Sequence, residues 1–254
     1  MNKIAIYVVS LANSNRRQLI SEQFDKIGIK FSFIDAVNGK DIVENEVDAI
    51  NASEFVKKRY KRVLGRNEIG CSLSHQLIYK QIAYDDIDYA FIFEDDVTLS
   101  HELVPIIKFF THLQSNVYNE NLYILGGQQG LSSQDMIVLD KKNTINISDS
   151  INFYKTISSE NYIFRTCCYI ISRNVALRLL TIHENSFYLA DDWSLLYKEK
   201  SFEHIYLLDY IKHPVDLSTS TIQQERHKKA TLIEKIKKSK LRKIKIILRQ
   251  LLLR

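Results

Sequence analysis

Proline and glycine are both scarce, with 2 and 7 copies in 254 residues. A chain this poor in either residue has no long flexible linker. Cysteine is scarce too. Cys71, Cys167 and Cys168 are odd in number and two of them are adjacent, so they supply neither a disulfide framework nor zinc-ligand spacing. A reduced, cytoplasmic setting is expected. No apolar run reaches the roughly 20 residues that span a bilayer. Asn2 and Lys3 lead directly into a strand-like run, so no targeting signal is expected. No glycine-rich loop follows the first strand, which excludes a P-loop and a dinucleotide fingerprint.

What is present is an ordinary globular composition, 45% hydrophobic and 26% charged, with 14 Tyr and 12 Phe suited to large aromatic pockets. The net charge of +5 hides an asymmetry. Residues 226–254 hold 12 Lys/Arg against the single acid Glu234, a net +11, which leaves −6 for residues 1–225. The body is acidic and the tail basic. The chain therefore divides into a folded body, 1–225, and an appendage, 226–254.

Ile4 to Val9 is a short apolar run that predicts a central parallel strand buried on both faces. Leu19, Ile20, Phe24 and Ile27 follow at helical spacing up to Gly28, and Phe31 to Ile34 is a second strand. Strand, helix, strand argues for an α/β sandwich. Arg16 and Arg17 lie just past the first strand's end, where open α/β sheets bind ligands. They read either as phosphate-binding residues or as helix-surface charges. Residues 41–66 are polar, anchored by Phe55, Val56 and Tyr60, and Lys57 to Arg62 reads as a solvated helix face.

A helix is predicted from Asn67, its cap, with a core stripe of Ile69, Leu73, Leu77, Ile78 and Ile82. Gly70 inside it costs about 1 kcal/mol relative to Ala, which close approach of another backbone or of a ligand would explain. Ser74 and His75 lie near that side. A single helical His is more often structural than ligand-binding, and both readings stand. Downstream, His101 to Leu113 reads as a helix and Leu122 to Leu125 as a buried strand closed by Gly126 and Gly127. Residues 131–160 read as a small β excursion, Tyr162 to Ser172 as a longer strand and Val175 to Ile182 as a helix. Ile205 to Leu208 is a last short strand, with His213 to Thr221 a loop able to return over the site.

The chain is organised around Tyr89 to Leu99. Its first five residues are apolar, aromatic or β-branched and read as a buried strand, which runs straight into Glu94, Asp95 and Asp96. Three acids at the end of a core strand are costly unless neutralised. A hard divalent cation shared with a phosphate is one solution. A solvated acidic loop ahead of a helix N-terminus is the other. Asp191 and Asp192, beside the sole Trp193, read either as helix-capping acids or as a general base at a loop-to-helix junction. From Thr231 to Arg254, Ile233, Ile236, Leu241, Ile244, Ile247, Leu248, Leu251 and Leu252 recur at helical spacing among Lys and Arg. This predicts a basic amphipathic helix of the kind that lies on anionic membranes. Nucleic-acid contact or a partner helix are the alternatives, and the absence of aromatics for base stacking disfavours nucleic acid.

Four blocks occur in order: Ile6-Tyr-Val-Val-Ser-Leu11 with Arg16-Arg17, Glu68-Ile-Gly-Cys-Ser-Leu-Ser-His75, Phe91-Ile-Phe-Glu-Asp-Asp-Val97 and Ala190-Asp-Asp-Trp193. Together they resemble glycosyltransferase family 25, whose members include bacterial lipooligosaccharide galactosyl- and glucosyltransferases and the collagen galactosyltransferases. The resemblance covers roughly residues 1–220. It implies a GT-A type fold, a Rossmann-like αβα sandwich with a mixed central sheet, here carrying the C-terminal basic helix. It also implies a nucleotide-sugar donor, UDP-galactose or UDP-glucose, with Mn²⁺ or Mg²⁺ and inversion at the sugar carbon.

By that resemblance Asp96 contacts the metal, joined by Glu94 and, from its position after the last strand, His213. Asp95 contacts donor hydroxyls or a metal-bound water. Ser10, Leu11 and Arg16 or Arg17 sit near uridine and phosphate, with His75 and Glu94 also on the donor side. Asp191 and Asp192 are the acceptor-side acids, with Asp192 the preferred base. The first loop is slightly short for the family, so Arg16 and Arg17 are not ranked, and the basic tail lies outside the shared motifs. A lipooligosaccharide acceptor on the inner face of the bacterial cytoplasmic membrane would match such a tail. The competing reading from another class is a non-catalytic membrane-surface or carbohydrate-binding protein that keeps the fold. No nucleic-acid partner is expected, given the acidic body.

Overall fold

A computed structural model describes residues 1–114 and 118–214. Its frame is a mixed sheet of 8 strands in the order β2-β1-β3-β7-β4-β8-β6-β5. The strands are β1 (Ile4–Ser10), β2 (Ser32–Asp35), β3 (Tyr89–Glu94), β4 (Leu122–Gly126), β5 (Leu139–Ser148), β6 (Ile151–Thr156), β7 (Cys168–Ser172) and β8 (Ile205–Ile211). β1 runs parallel to β2 and β3, whereas β7 lies antiparallel between β3 and β4. The helices are α1 (Arg16–Lys26), α2 (Glu44–Ala52), α3 (Glu54–Tyr60), α4 (Arg66–Tyr84), α5 (Leu103–His112), α6 (Arg173–Asn185) and α7 (Trp193–Lys198).

The period-2 pleat sorts the central strands into two cores. Tyr7, Val9, Ala90, Ile92, Leu122 and Ile124 face one layer, with Ile78, Tyr79 and Ile82 of α4, Val175 and Leu179 of α6 and Trp193 of α7. Ile6, Val8, Phe91, Phe93, Tyr123 and Leu125 face the other, with Ile20 and Phe24 of α1 and Leu103, Ile106 and Phe110 of α5. This is the double-sided burial expected of a near-continuous apolar strand. Phe91 and Phe93 are fully buried, and each contributes about 2 kcal/mol of transfer free energy. The expected α/β sandwich with a mixed sheet is therefore present. The β excursion is the β5–β6 hairpin, joined antiparallel to β8.

Several local expectations are corrected. The strand expected over Tyr162 to Ser172 is real only from Cys168, because Glu160–Tyr162 is a 3₁₀ turn and Arg165 takes a left-handed φ of 67°. Helix α4 starts at Arg66, so its cap is Gly65 and not Asn67. Glu68 accepts a hydrogen bond from the Gly65 N–H at 3.0 Å instead. Leu77 points outward, 41% exposed, and leaves Ile69, Ile78 and Ile82 as the buried stripe. The surface helix expected over Lys57 to Arg62 is partly an ion-pair element, since Arg62 makes a two-pronged salt bridge to the buried Glu68 at 2.6 Å. For Gly70 the close neighbour is backbone: an added Cβ would stand 2.7 Å from the Val37 carbonyl oxygen. No helix of the described residues is long and apolar enough to cross a membrane. The basic helix expected over Thr231 to Arg254 lies outside the described residues.

Candidate active site

The parallel pairing of β1 with β3 puts Val9 opposite Glu94, so the two strands end together. That register brings Ser10 beside the acidic turn. Asp95 Oδ2 accepts from Ser10 Oγ at 2.6 Å and from Ser14 Oγ at 2.8 Å. Arg16 Nη1 lies 3.5 Å from Asp95 Oδ1 and 3.4 Å from Asp96 Oδ2. Asp95 is thus fully engaged in tying the first loop to the end of β3. Arg17 turns the other way: it pairs with Asp35, donates to the Ser10 carbonyl at 2.9 Å and lies over the Phe33 ring at 4.5 Å. The structure separates the two arginines, with Arg16 facing the acidic cluster and Arg17 bracing β1 against β2. Leu11 is 38% exposed at the mouth of this loop.

The last strand delivers His213. A bridge between Thr98 and Lys212 fastens the end of β8 to the segment after the acids, and His213 Nε2 then lies 3.5 Å from Asp96 Oδ2. The other ring nitrogen, Nδ1, is 2.8 Å from the Pro214 carbonyl and so carries the proton. Glu94, Asp96 and His213 offer ligand atoms that all lie within 4.8 Å of one another. Asp96 Oδ1 is buried and has no hydrogen-bond partner among the described residues. Two carboxylates and an imidazole with an orphaned buried oxygen form a donor set that fits Mn²⁺ or Mg²⁺.

Glu94 is held from the opposite side by β7. Its backbone N–H donates to the Cys167 carbonyl at 2.8 Å, and its Oε1 accepts from Thr166 Oγ1 at 2.6 Å. Burial first, and then the negative charges of Asp96, Asp95 and Asp191, push its carboxyl up to about 8. His75 sits behind Glu94, 1% exposed, with Nε2 4.0 Å from Glu94 Oε1. Burial holds its imidazole well below the usual range, at about 3, with a smaller contribution from His183. His75 is therefore a neutral wall of the site rather than a surface contact.

The two acids expected on the acceptor side, Asp191 and Asp192, have different surroundings. Asp192 forms a two-pronged pair with Arg59, with Nε to Oδ2 at 2.8 Å, accepts from Tyr60 Oη at 3.1 Å and caps α7 through the Leu195 N–H at 3.3 Å. Its oxygens are engaged by a guanidinium, a phenol and the N-terminus of α7. Asp191 instead reaches the site: its Oδ2 accepts from the Arg165 N–H at 3.3 Å, and its charge acts on both Glu94 and Arg165.

Sequence reasoning missed Ser14, Arg59, Arg165 and Thr166. Arg165 donates to the Gly127 and Gln129 carbonyls at 2.7 and 3.1 Å, and burial lowers its basicity. It was hidden inside an expected strand, and Arg59 inside an ordinary basic run. Gly127, at φ 85° with an added Cβ only 2.1 Å from Cys167 Sγ, lets the loop after β4 close on this segment. A pair of glycines followed by glutamines at a strand end was the one available signal for that loop.

The profile described as Glycosyltransferase family 25 (LPS biosynthesis protein) matches residues 3–195. A Haemophilus influenzae protein, provisionally named a glycosyltransferase, is 24% identical over 245 residues, covering 91% of this chain and 82% of its own. The lipooligosaccharide biosynthesis protein lic2B of the same species is 30% identical over 94 residues, covering 37% of this chain and 34% of its own length. The lacto-N-neotetraose biosynthesis glycosyltransferase LgtE of Neisseria meningitidis serogroup B is 28% identical over 120 residues, covering 47% of this chain and 41% of its own length. The chain spans well under half the length of the last two.

Proposed function

The chain belongs to glycosyltransferase family 25, and from that premise we propose that it moves galactose from UDP-galactose, with inversion, onto a sugar hydroxyl of a lipooligosaccharide or lipopolysaccharide acceptor. The observation that carries this reading is the convergence of Glu94, Asp96 and His213 at the end of β3, beside Ser10 and Arg16 at the end of β1. Relatives named for lipooligosaccharide and lacto-N-neotetraose biosynthesis support the acceptor class. The basic sequence of residues 226–254 supports a site of action on an anionic membrane surface, peripheral to the inner leaflet.

In this proposal Asp96, Glu94 and His213 hold Mn²⁺ or Mg²⁺. Bound there, the cation would supply positive charge to the diphosphate oxygens of the leaving group. Arg16 stands at the same strand end and adds a guanidinium to that charge. Asp95 holds the first loop, through Ser10 and Ser14, in the shape that receives the nucleotide. Asp191 takes the proton from the acceptor hydroxyl as its oxygen attacks the sugar carbon opposite the leaving diphosphate. A single in-line attack inverts that carbon. Asp192, clamped by Arg59, holds Asp191 in place.

A UDP-glucose donor is the second reading within the class, because a few hydrogen bonds at the sugar's C4 decide it. The test is release of UDP by purified protein from UDP-galactose, UDP-glucose and UDP-N-acetyl sugars, each with and without Mn²⁺. Metal-dependent release from UDP-galactose is expected, with the anomeric configuration of the product read by NMR. Release from UDP-glucose alone moves the assignment to glucose. Failure to bind UDP with Mn²⁺ in calorimetry removes the transferase mechanism and leaves a carbohydrate-binding protein.

A further inference from the structure

Glu94 has a second set of neighbours that the transfer reaction does not use. Cys71 and His75 are separated by four positions on α4, so they share one face a turn apart. Cys71 Sγ, a ring nitrogen of His75 and a carboxylate oxygen of Glu94 all lie within 4.8 Å of one another. His75 Nδ1 is 2.7 Å from Tyr169 Oη, and that hydroxyl donates onward to Tyr79 Oη at 3.2 Å. Tyr169 therefore accepts from His75 Nδ1–H, which leaves the Nε2 lone pair bare. Nε2 is buried, points towards Glu94 and has no hydrogen-bond partner among the described residues. A ring whose far nitrogen is pinned by a hydroxyl while the near one is left bare is the arrangement of a metal-ligating histidine.

We propose that Cys71, His75 and Glu94 form an inner site for a borderline-soft divalent cation of the Zn²⁺ class, and that filling it withdraws Glu94 from the outer set. The donor chemistry separates the two sites. Thiolate and imidazole with one carboxylate suit Zn²⁺, whereas two carboxylates with one imidazole suit the harder Mn²⁺ or Mg²⁺. Four-coordinate Zn²⁺ holds its sulfur, nitrogen and oxygen ligands at about 2.0–2.3 Å, so His75 Nε2 and Glu94 Oε1, 4.0 Å apart, would draw closer on binding. The Cys71 thiol gives its proton to solvent as the S–Zn bond forms, and nothing is oxidised or reduced. Because Glu94 belongs to both sets, Zn²⁺ acts as an inhibitor of the Mn²⁺-supported reaction. That consequence rests on the proposed transfer function; the binding does not.

The test uses metal-free full-length protein, with Co²⁺ as a spectroscopic probe and Zn²⁺ in competition calorimetry. Wild type is expected to show a thiolate-to-cobalt charge-transfer band and to bind one Zn²⁺ with proton release. Cys71→Ser and Cys71→Ala should both lose the band and weaken Zn²⁺ at least 10-fold, of the order seen when zinc-site partners are removed. Asp96→Asn should keep both. Turnover of the Cys71 variants in Mn²⁺ should match wild type but resist added Zn²⁺. A band that persists in the Cys71 variants would place the cation on Cys167 or Cys168 and overturn the proposal, as would Zn²⁺ binding abolished by Asp96→Asn. A protein inactive on every donor that still gives the Cys71-dependent band would overturn the transferase reading alone.

Discussion

Arg59 and Asp192 stand 133 positions apart in the chain and meet as a two-pronged ion pair, with Nε 2.8 Å from Oδ2. The pair joins α3 to the cap of α7 and leaves Asp191, the next residue back, facing the acidic cluster. A carboxylate already bound by a guanidinium and a phenol is a poor proton acceptor, so the two aspartates have separable roles. Asp191→Asn should lower kcat by about 10²- to 10⁴-fold, the range of a general base, with a smaller loss of stability than Asp192→Asn. Asp192→Asn, which keeps a capping oxygen for α7, should cost about 1–3 kcal/mol of stability through the lost ion pair with Arg59, measured by urea unfolding. Equal loss of turnover with no loss of stability in Asp192→Asn would return the base to that residue.

Asp96 Oδ1 is the orphaned oxygen of the outer cluster. Asp96→Asn keeps the shape and removes the charge. We expect Mn²⁺ binding in the presence of UDP to vanish from calorimetry and turnover to fall by about 10²- to 10³-fold. Undiminished Mn²⁺ affinity would exclude this residue from the metal set.

The carboxyl of Glu94 is raised, through burial and three neighbouring acids, to about 8 against 4.5 for a free side chain. The folded state therefore binds its proton more tightly than the unfolded chain does. The resulting stabilisation is fully present below about pH 4.5 and is lost as pH rises through about 8. In EDTA the melting temperature should decline over that window, and Glu94→Gln should flatten the decline. With Mn²⁺ the trend should weaken, because the cation favours the ionised form. Mn²⁺ affinity itself should rise with pH up to about 8, as the competing proton leaves.

Gly70→Ala looks favourable on helix propensity alone, by about 1 kcal/mol. The new Cβ would stand 2.7 Å from the Val37 carbonyl and 3.1 Å from the Gly39 nitrogen. Overpacking against backbone costs about 1–3 kcal/mol, so the substitution should be net destabilising in thermal melts. A stabilised variant would show that the segment from Val37 to Gly39 yields freely.

Deleting residues 231–254 should abolish sedimentation with anionic vesicles while leaving turnover on a soluble acceptor. Vesicle binding that survives the deletion would put the membrane contact on the folded body instead.

Residues that are neighbours in the chain were legible in the sequence. An apolar run ending in three acids marks a buried strand feeding a charged turn, and the alternation of side chains along a strand sends Ala90 and Ile92 to one core and Tyr89, Phe91 and Phe93 to the other, all five buried. The acids Glu94 and Asp96 could be named as a cluster because covalent connection alone holds them together. His213 could be suggested from its place after the last strand, since strands of one sheet bring their ends together. Other facts depended on which surfaces face one another after packing. That Arg16 rather than Arg17 faces the acids depends on the pitch of α1 against β3. That Arg59 claims Asp192 depends on α3 docking against α7. Tyr162 to Arg165 carried the residue types of a strand, yet the chain turns there to seat the Arg165 side chain on the Gly127 and Gln129 carbonyls. The spacing of Cys71, Cys167 and Cys168 gave no hint of a metal site, because its other ligand from outside α4, Glu94, is brought in by the sheet. Local pattern determined the elements and their charged ends. Long-range docking, in which each side chain competes for partners that the linear order does not reveal, decided the role of each residue at those ends.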